Sequence, residues 1–328
     1  MKRTTVFVLI TLILASLSLF SDEKQDLWKK AAAESNMEQK FNLLEEYAQK
    51  YPQDENSKVL YYNLTVISYQ LKKYTETTKY GELAQAQEGL DNNNKLNVYL
   101  YLANAYNVSK TDFDKAIHYA EQLVQLAKTL KGADQASSRY DKNYIVPGLR
   151  IQIQVWYSEG KNDAALIQKA ADKAIEIYKE YDQSRRSANM ILTLANRLYK
   201  LKKVNEAIKV MEQVIDPEKP NHRYLGILAS WYSKAKNNEK AVEYLEKSYQ
   251  VRRNVKTAYN IGKLLQSKDV DKAIKYLAEA HMMNPGNTSS EAYKLLRHLF
   301  YNVKYKGKPQ EEQDSAFQQA LQSAKARL

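Results

Sequence analysis

The alanines at positions 207, 241 and 273 stand 34 and 32 residues apart, and each sits in the same short phrase. The phrases are "NEAIKVMEQVID" from Asn205, "EKAVEYLEKSYQ" from Glu239 and "DKAIKYLAEAHMMNPGN" from Asp271. Looser copies read "DKAIHYAEQLVQ" from Asp114 and "DKAIEIYKEY" from Asp172. Each has a polar pair, an alanine, a branched aliphatic, then apolar residues at helical spacing. A fixed period near 34 residues constrains the fold strongly. One such unit cannot bury its apolar face alone, so copies must stack into a helix–turn–helix array.

Small residues have a physical reason at these positions. Ala273 and Ala280 fall on one helix face, two turns apart, where a neighbouring helix can approach closely. Pro285 cannot continue a helix and ends the unit. Each phrase follows another helical stretch in which an apolar residue precedes a small one: Leu194-Ala195, Leu228-Ala229 and Ile261-Gly262. Three residues later come Leu198, Tyr232 and Leu265.

This arrangement resembles the tetratricopeptide repeat, whose helix A carries Leu-Gly/Ala and then Tyr, and whose helix B carries Ala, an aromatic, Ala and finally Pro. The copy from Lys256 to Asn287 matches best, through Ile261, Gly262, Leu265, Ala273, Leu277, Ala280 and Pro285. The resemblance spans roughly residues 58–287. It implies an all-α, right-handed helix–turn–helix solenoid. The expected order is a signal peptide at 1–21, an N-terminal helix pair or degenerate repeat at 22–57, and repeats at 58–130. A loop or hinge follows at 131–143, then repeats at 144–287, the first irregular with helix B at "DKAIEIYKEY", and capping helices at 288–328. In the 61–87 copy Thr77 replaces the first helix-B alanine.

Composition supports a helical reading. Only nine glycines and six prolines occur, with 26 tyrosines against six phenylalanines, so tyrosine rings should supply much of the packing. The absence of cysteine excludes disulfides, thiolate metal sites and a cysteine nucleophile. The start "MKRTTVFVLITLILASLSLFSDEKQ" places Lys2 and Arg3 before an uncharged run from Thr4 to Phe20. This reads as a secretory signal with cleavage near Ser21 and a periplasmic or secreted product; the alternative is an uncleaved inner-membrane anchor. No other stretch could span a bilayer.

The formal charge is +12, which favours acidic partners, and export argues against nucleic acid. HExxH, Walker, GxSxG and GxGxxG motifs are absent from the sequence. His118, His222, His281 and His298 show no i, i+4 pairing. We expect no catalysis and no cofactor or metal.

The resemblance implies a ligand groove on helix-A positions flanking the small core residue. Carried onto this chain, these give Asn104 and Asn107, then Asn196, Tyr199 and Lys200, then Arg223 and Lys234, then Lys256, Tyr259 and Lys263. The set holds amides, cations and tyrosines and no acid. It points to a protein or peptide partner that is acidic or carries a free C-terminal carboxylate. The expected function is an exported interaction scaffold, with bacterial envelope assembly as one setting. The alternatives are a basic module for anionic envelope or lipid surfaces, and a cryptic enzyme.

Overall fold

The computed structural model describes residues 23–52, 54–133 and 138–328; the signal peptide expected at 1–21 lies outside them. Among the described residues the chain is helical, with no strand. It divides into two compact units, Met1–Gln183 and Ser184–Leu328.

The N-terminal unit opens with α1 (23–33) and α2 (Met37–Lys50). Three helix pairs follow: α3 (Ser57–Gln70) with α4 (Tyr74–Gln85), α5 (Asn92–Ser109) with α6 (Phe113–Ala133), and α8 (Val146–Glu159) with α9 (Ala164–Glu176). A short α7 (Ser138–Tyr140) and a π-helical turn (Asp141–Ile145) lead into α8. A second π turn, Ile177–Tyr181, prolongs α9. The stretch 131–143 lies within this unit. Around its undescribed residues 134–137, Lys131 Nζ bonds Asp141 Oδ1 at 2.7 Å and Tyr140 is buried.

The C-terminal unit holds α10 (Arg185–Lys200) with α11 (Val204–Glu212), α12 (His222–Lys234) with α13 (Asn238–Val251), and α14 (Val255–Leu265) with α15 (Val270–Met282). It closes with α16 (Glu291–Leu299), a π turn (Phe300–Lys304) and α17 (Gln310–Arg327).

The repeat phrase now has a local mechanism. In the last two copies the polar residue two positions ahead of the phrase caps helix B: Asn237 accepts from Lys240 N–H and Asp269 from Lys272 N–H. The alanines of the phrase, Ala116, Ala207, Ala241 and Ala273, have no solvent exposure. At Gly262 an added Cβ would lie 2.5 Å from Leu277 Cγ and 3.1 Å from the Ala273 carbonyl oxygen. Helices A and B therefore touch backbone to backbone, and only small residues permit it. Thr77 fits the same site because its hydroxyl donates to the Lys73 carbonyl at 2.8 Å. In four A–B turns a lysine takes the left-handed conformation, with φ 59° at Lys72, 57° at Lys110, 65° at Lys202 and 62° at Lys236.

The irregular copy differs from its expected layout. Helix B there begins at Ala164, capped by Asp163, and not at Asp172. Ile167 takes the place of the first small residue, and Ala171 and Ala174 follow it into the core. "DKAI" is thus the second half of this helix, which explains the apparent insertion.

The tyrosines serve packing and polar pairing together. Tyr80 donates to Glu45 at 2.7 Å, Tyr244 to Glu212 at 2.9 Å and Tyr276 to Glu246 at 2.9 Å. In each case the ring lies in one helix B and the carboxylate 35, 32 or 30 residues earlier. Phenylalanine would fill the space and leave these carboxylates without the bond.

Candidate binding surface

In the C-terminal unit two adjoining cavities open between α12 and α14, over α13. One, of about 540 Å³, is lined by Asn196, Arg223, Trp231, Arg252, Lys256 and Thr257 among others. The other, of about 490 Å³, is lined by Ser233, Lys234, Asn238, Lys263, Leu264 and Gln266 among others. They share Gly226, Ser230, Leu245 and Asn260. The sequence dictates this space. Gly226 has open room where a Cβ would stand, and Ser230 and Ser233 follow it at i+4 and i+7 on one helix face. Neither lining contains an aspartate or glutamate.

Five of the expected groove residues meet here: Asn196, Arg223, Lys234, Lys256 and Lys263. Tyr199 is half-buried and stacks on Trp231, with ring centroids 5.1 Å apart at 13°; it supports the wall through Trp231. Tyr259 is half-buried, with Lys263 Nζ 5.9 Å from its ring centroid. Lys200 is exposed on the last turn of α10 and lines neither cavity. Asn104 and Asn107 belong to the other unit. Asn104 donates to the Leu100 carbonyl at 2.9 Å, and Asn107 to Gln154 Oε1 at 2.9 Å.

Sequence reasoning missed Arg252, Gly226 and Asn260. Arg252 follows the end of α13, outside helix A. Gly226 stands three residues before Ala229 and Asn260 directly before the Ile261-Gly262 pair, a signal that was available.

The cations here differ from those on helix B. Among the described residues, Arg223, Lys234, Arg252, Lys256 and Lys263 form no ion pair. On the helix-B side Lys240 and Lys247 pair with Glu243 at 2.8 Å, and Lys272 pairs with Glu246 at 2.7 Å. Glu243 is held below the usual carboxylate range by its bonds to Lys240 and Lys247. Charge also divides between the units. Ser184–Leu328 carries 27 Lys and Arg against 14 Asp and Glu, a net of +13, whereas Met1–Gln183 carries 23 against 24.

Among the described residues no group of three or more His, Asp or Glu could hold a metal. No described helix is long and apolar enough to cross a membrane.

The fold defines a helical-repeat protein whose C-terminal unit has a basic cleft. Solved structures of similar fold are tetratricopeptide repeat proteins. One from Parabacteroides merdae is 14% identical, covering 85% of this chain and 100% of its own, with a TM-score of 0.36. The C-terminal part of a repeat protein from Cytophaga hutchinsonii is 14% identical, covering 81% and 95%, with a TM-score of 0.38. MamA is 17% identical, covering 52% and 96%, with a TM-score of 0.34. No protein-family model and no curated protein matches the chain.

Proposed function

We propose that this protein is an exported, non-catalytic interaction scaffold whose C-terminal unit binds an acidic protein segment in the cleft between α12 and α14. One observation carries the reading: five cations without ion-pair partners and no carboxylate line two adjoining cavities. Carboxylates entering the cleft would meet Arg223 and Arg252, whose guanidinium forks suit bidentate pairing, and Lys234, Lys256 and Lys263 as point charges. Asn196 and Asn260 add amides able to donate to and accept from a peptide backbone. Trp231 and Leu245 offer apolar contact that salt does not screen.

The test uses the full chain and a labelled acidic peptide, with its C-terminus free or amidated. Lys234→Glu with Lys256→Glu should weaken binding by about tenfold or more, equivalent to about 1.4 kcal/mol. Lys209→Glu with Lys275→Glu makes the same change in net charge on helix-B faces and should matter far less. Gly226→Leu should block the cleft with no change in charge. An equal loss in the two charge reversals, with binding to phosphatidylglycerol vesicles, would instead support diffuse attraction to an anionic surface. Equal affinity for free and amidated peptides would assign recognition to acidic side chains and not to a terminal carboxylate.

A further inference from the structure

The N-terminal unit carries a different chemistry on its A helices. Helix α3 packs beside α5, and α5 beside α8. Asn97 on α5 links α3 to the π turn that leads into α8: its Nδ2 donates to the Tyr62 hydroxyl at 3.1 Å, and its Oδ1 accepts from the Tyr144 hydroxyl at 3.1 Å. Farther along, the rings of Tyr69 on α3 and Tyr101 on α5 have centroids 4.6 Å apart. Toward the helix C-termini Asn107 bonds Gln154 across α5 and α8. On the last turns of α5 and α8, Val108 is 52% exposed and Tyr157 43%. None of these side chains is charged, in a chain where 27% of residues are.

We propose that this face is a second binding site, independent of the basic cleft, for an uncharged proline-rich peptide segment in the polyproline II conformation. Three features select that occupant. The first is charge: the side chains of this row are neutral, so a charged group docked on them would lose hydration without an ion-pair partner, and Arg139, the charge felt by Tyr144, is stacked on the Tyr140 ring. The second is hydrogen-bond polarity. Proline has no N–H, so such a segment offers carbonyl acceptors and almost no donors. The face supplies donors. The Tyr62 hydroxyl accepts from Asn97, which leaves its own O–H free to donate outward. The Tyr69 and Tyr101 hydroxyls form no hydrogen bond among the described residues, and burial pushes both phenols up, so they stay protonated. The third is spacing. A polyproline II turn advances about 9.3 Å, three residues at ~3.1 Å. Packed helices lie about 8–10 Å apart. A segment crossing α3, α5 and α8 can therefore present one equivalent residue to each. Tyrosine-lined grooves suit this preformed ligand because little chain entropy is lost on docking.

The test titrates capped decaproline against the full chain. Binding should be insensitive to salt, since no charge pair contributes. Tyr69→Phe with Tyr101→Phe keeps the rings and removes the donors; it should weaken binding by about tenfold while the helical circular dichroism and melting temperature hold. Lys234→Glu with Lys256→Glu should leave decaproline binding unchanged, so this site and the basic cleft stand or fall separately. Absence of decaproline binding, or full binding in the double phenylalanine variant, overturns the proposal. So does binding of a neutral oligosaccharide such as cellohexaose in place of decaproline, which would reassign the face to carbohydrate.

Discussion

At residue scale, two positions in α15 show what close packing demands. Ala273 is fully buried, and the helix opposite approaches through Gly262. Ala273→Leu should overpack that contact and cost about 1–3 kcal/mol. Lys275, two residues on and exposed, should tolerate glutamine within about 0.5 kcal/mol. Chemical denaturation of both variants checks the register; equal tolerance would refute it. His281 is the second position. It is 6% exposed, its ring centroid lies 4.4 Å from that of Tyr293, and its Nδ1 has no hydrogen-bond partner among the described residues. Burial holds its pKa below the ordinary histidine value. The neutral ring therefore suits the fold. Its contribution is complete above about pH 6.5, the unfolded value, and is lost as the pH falls through the lower folded value. His281→Phe should remove this part of the acid sensitivity, read as a smaller drop in melting temperature between neutral and mildly acidic buffer than in the parent protein.

At the scale of elements, the closing helix α17 is held by a buried carboxylate. Glu279 on α15 is 4% exposed. It accepts from the Tyr249 hydroxyl at 2.9 Å and from Arg327 Nε at 2.6 Å. Arg253 also donates to the Arg327 and Leu328 carbonyls. Burial, then the bond to Glu279, pushes the Tyr249 phenol well above its usual range, so that donor persists at any physiological pH. Arg327→Ala leaves Glu279 short of one strong partner and should cost about 1–3 kcal/mol. The loss should be concentrated in α17, where hydrogen exchange should accelerate first. Adding Glu279→Gln should recover part of it, because the uncompensated charge is then gone. A purely additive double mutant would show that the pair is not coupled.

At the scale of the molecule, the excess charge belongs to one unit. The C-terminal unit's +13 should repel itself, while the N-terminal unit is nearly neutral. Raising ionic strength from about 0.01 to about 0.15 M shortens the screening length from ~30 to ~8 Å. Hydrogen-exchange protection across 184–328 should therefore rise more than across 23–183. An equal response in both units would mean that local ion pairs, and not net charge, set the salt dependence.

The sequence by itself determined the helical pairs, the period, the buried alanines and the amide-and-cation character of helix A. Period and small-residue spacing are local properties of a helix face, so they can be read in one dimension. The irregular copy misled because "DKAI" recurs in mid-helix there, while the helix itself starts at the cap Asp163. Only the tertiary structure decided which cations share a cleft and which are neutralised. Lys240 and Lys256 look alike as letters, yet one meets Glu243 and the other borders an open cavity. Arg252 joined the site from beyond the end of α13, and Tyr199 became a support for Trp231. Tyr62, Asn97 and Tyr144, 35 and 47 residues apart, became one hydrogen-bonded row. Such pairings depend on how adjacent helices align across the stack, and no single helix face encodes that alignment.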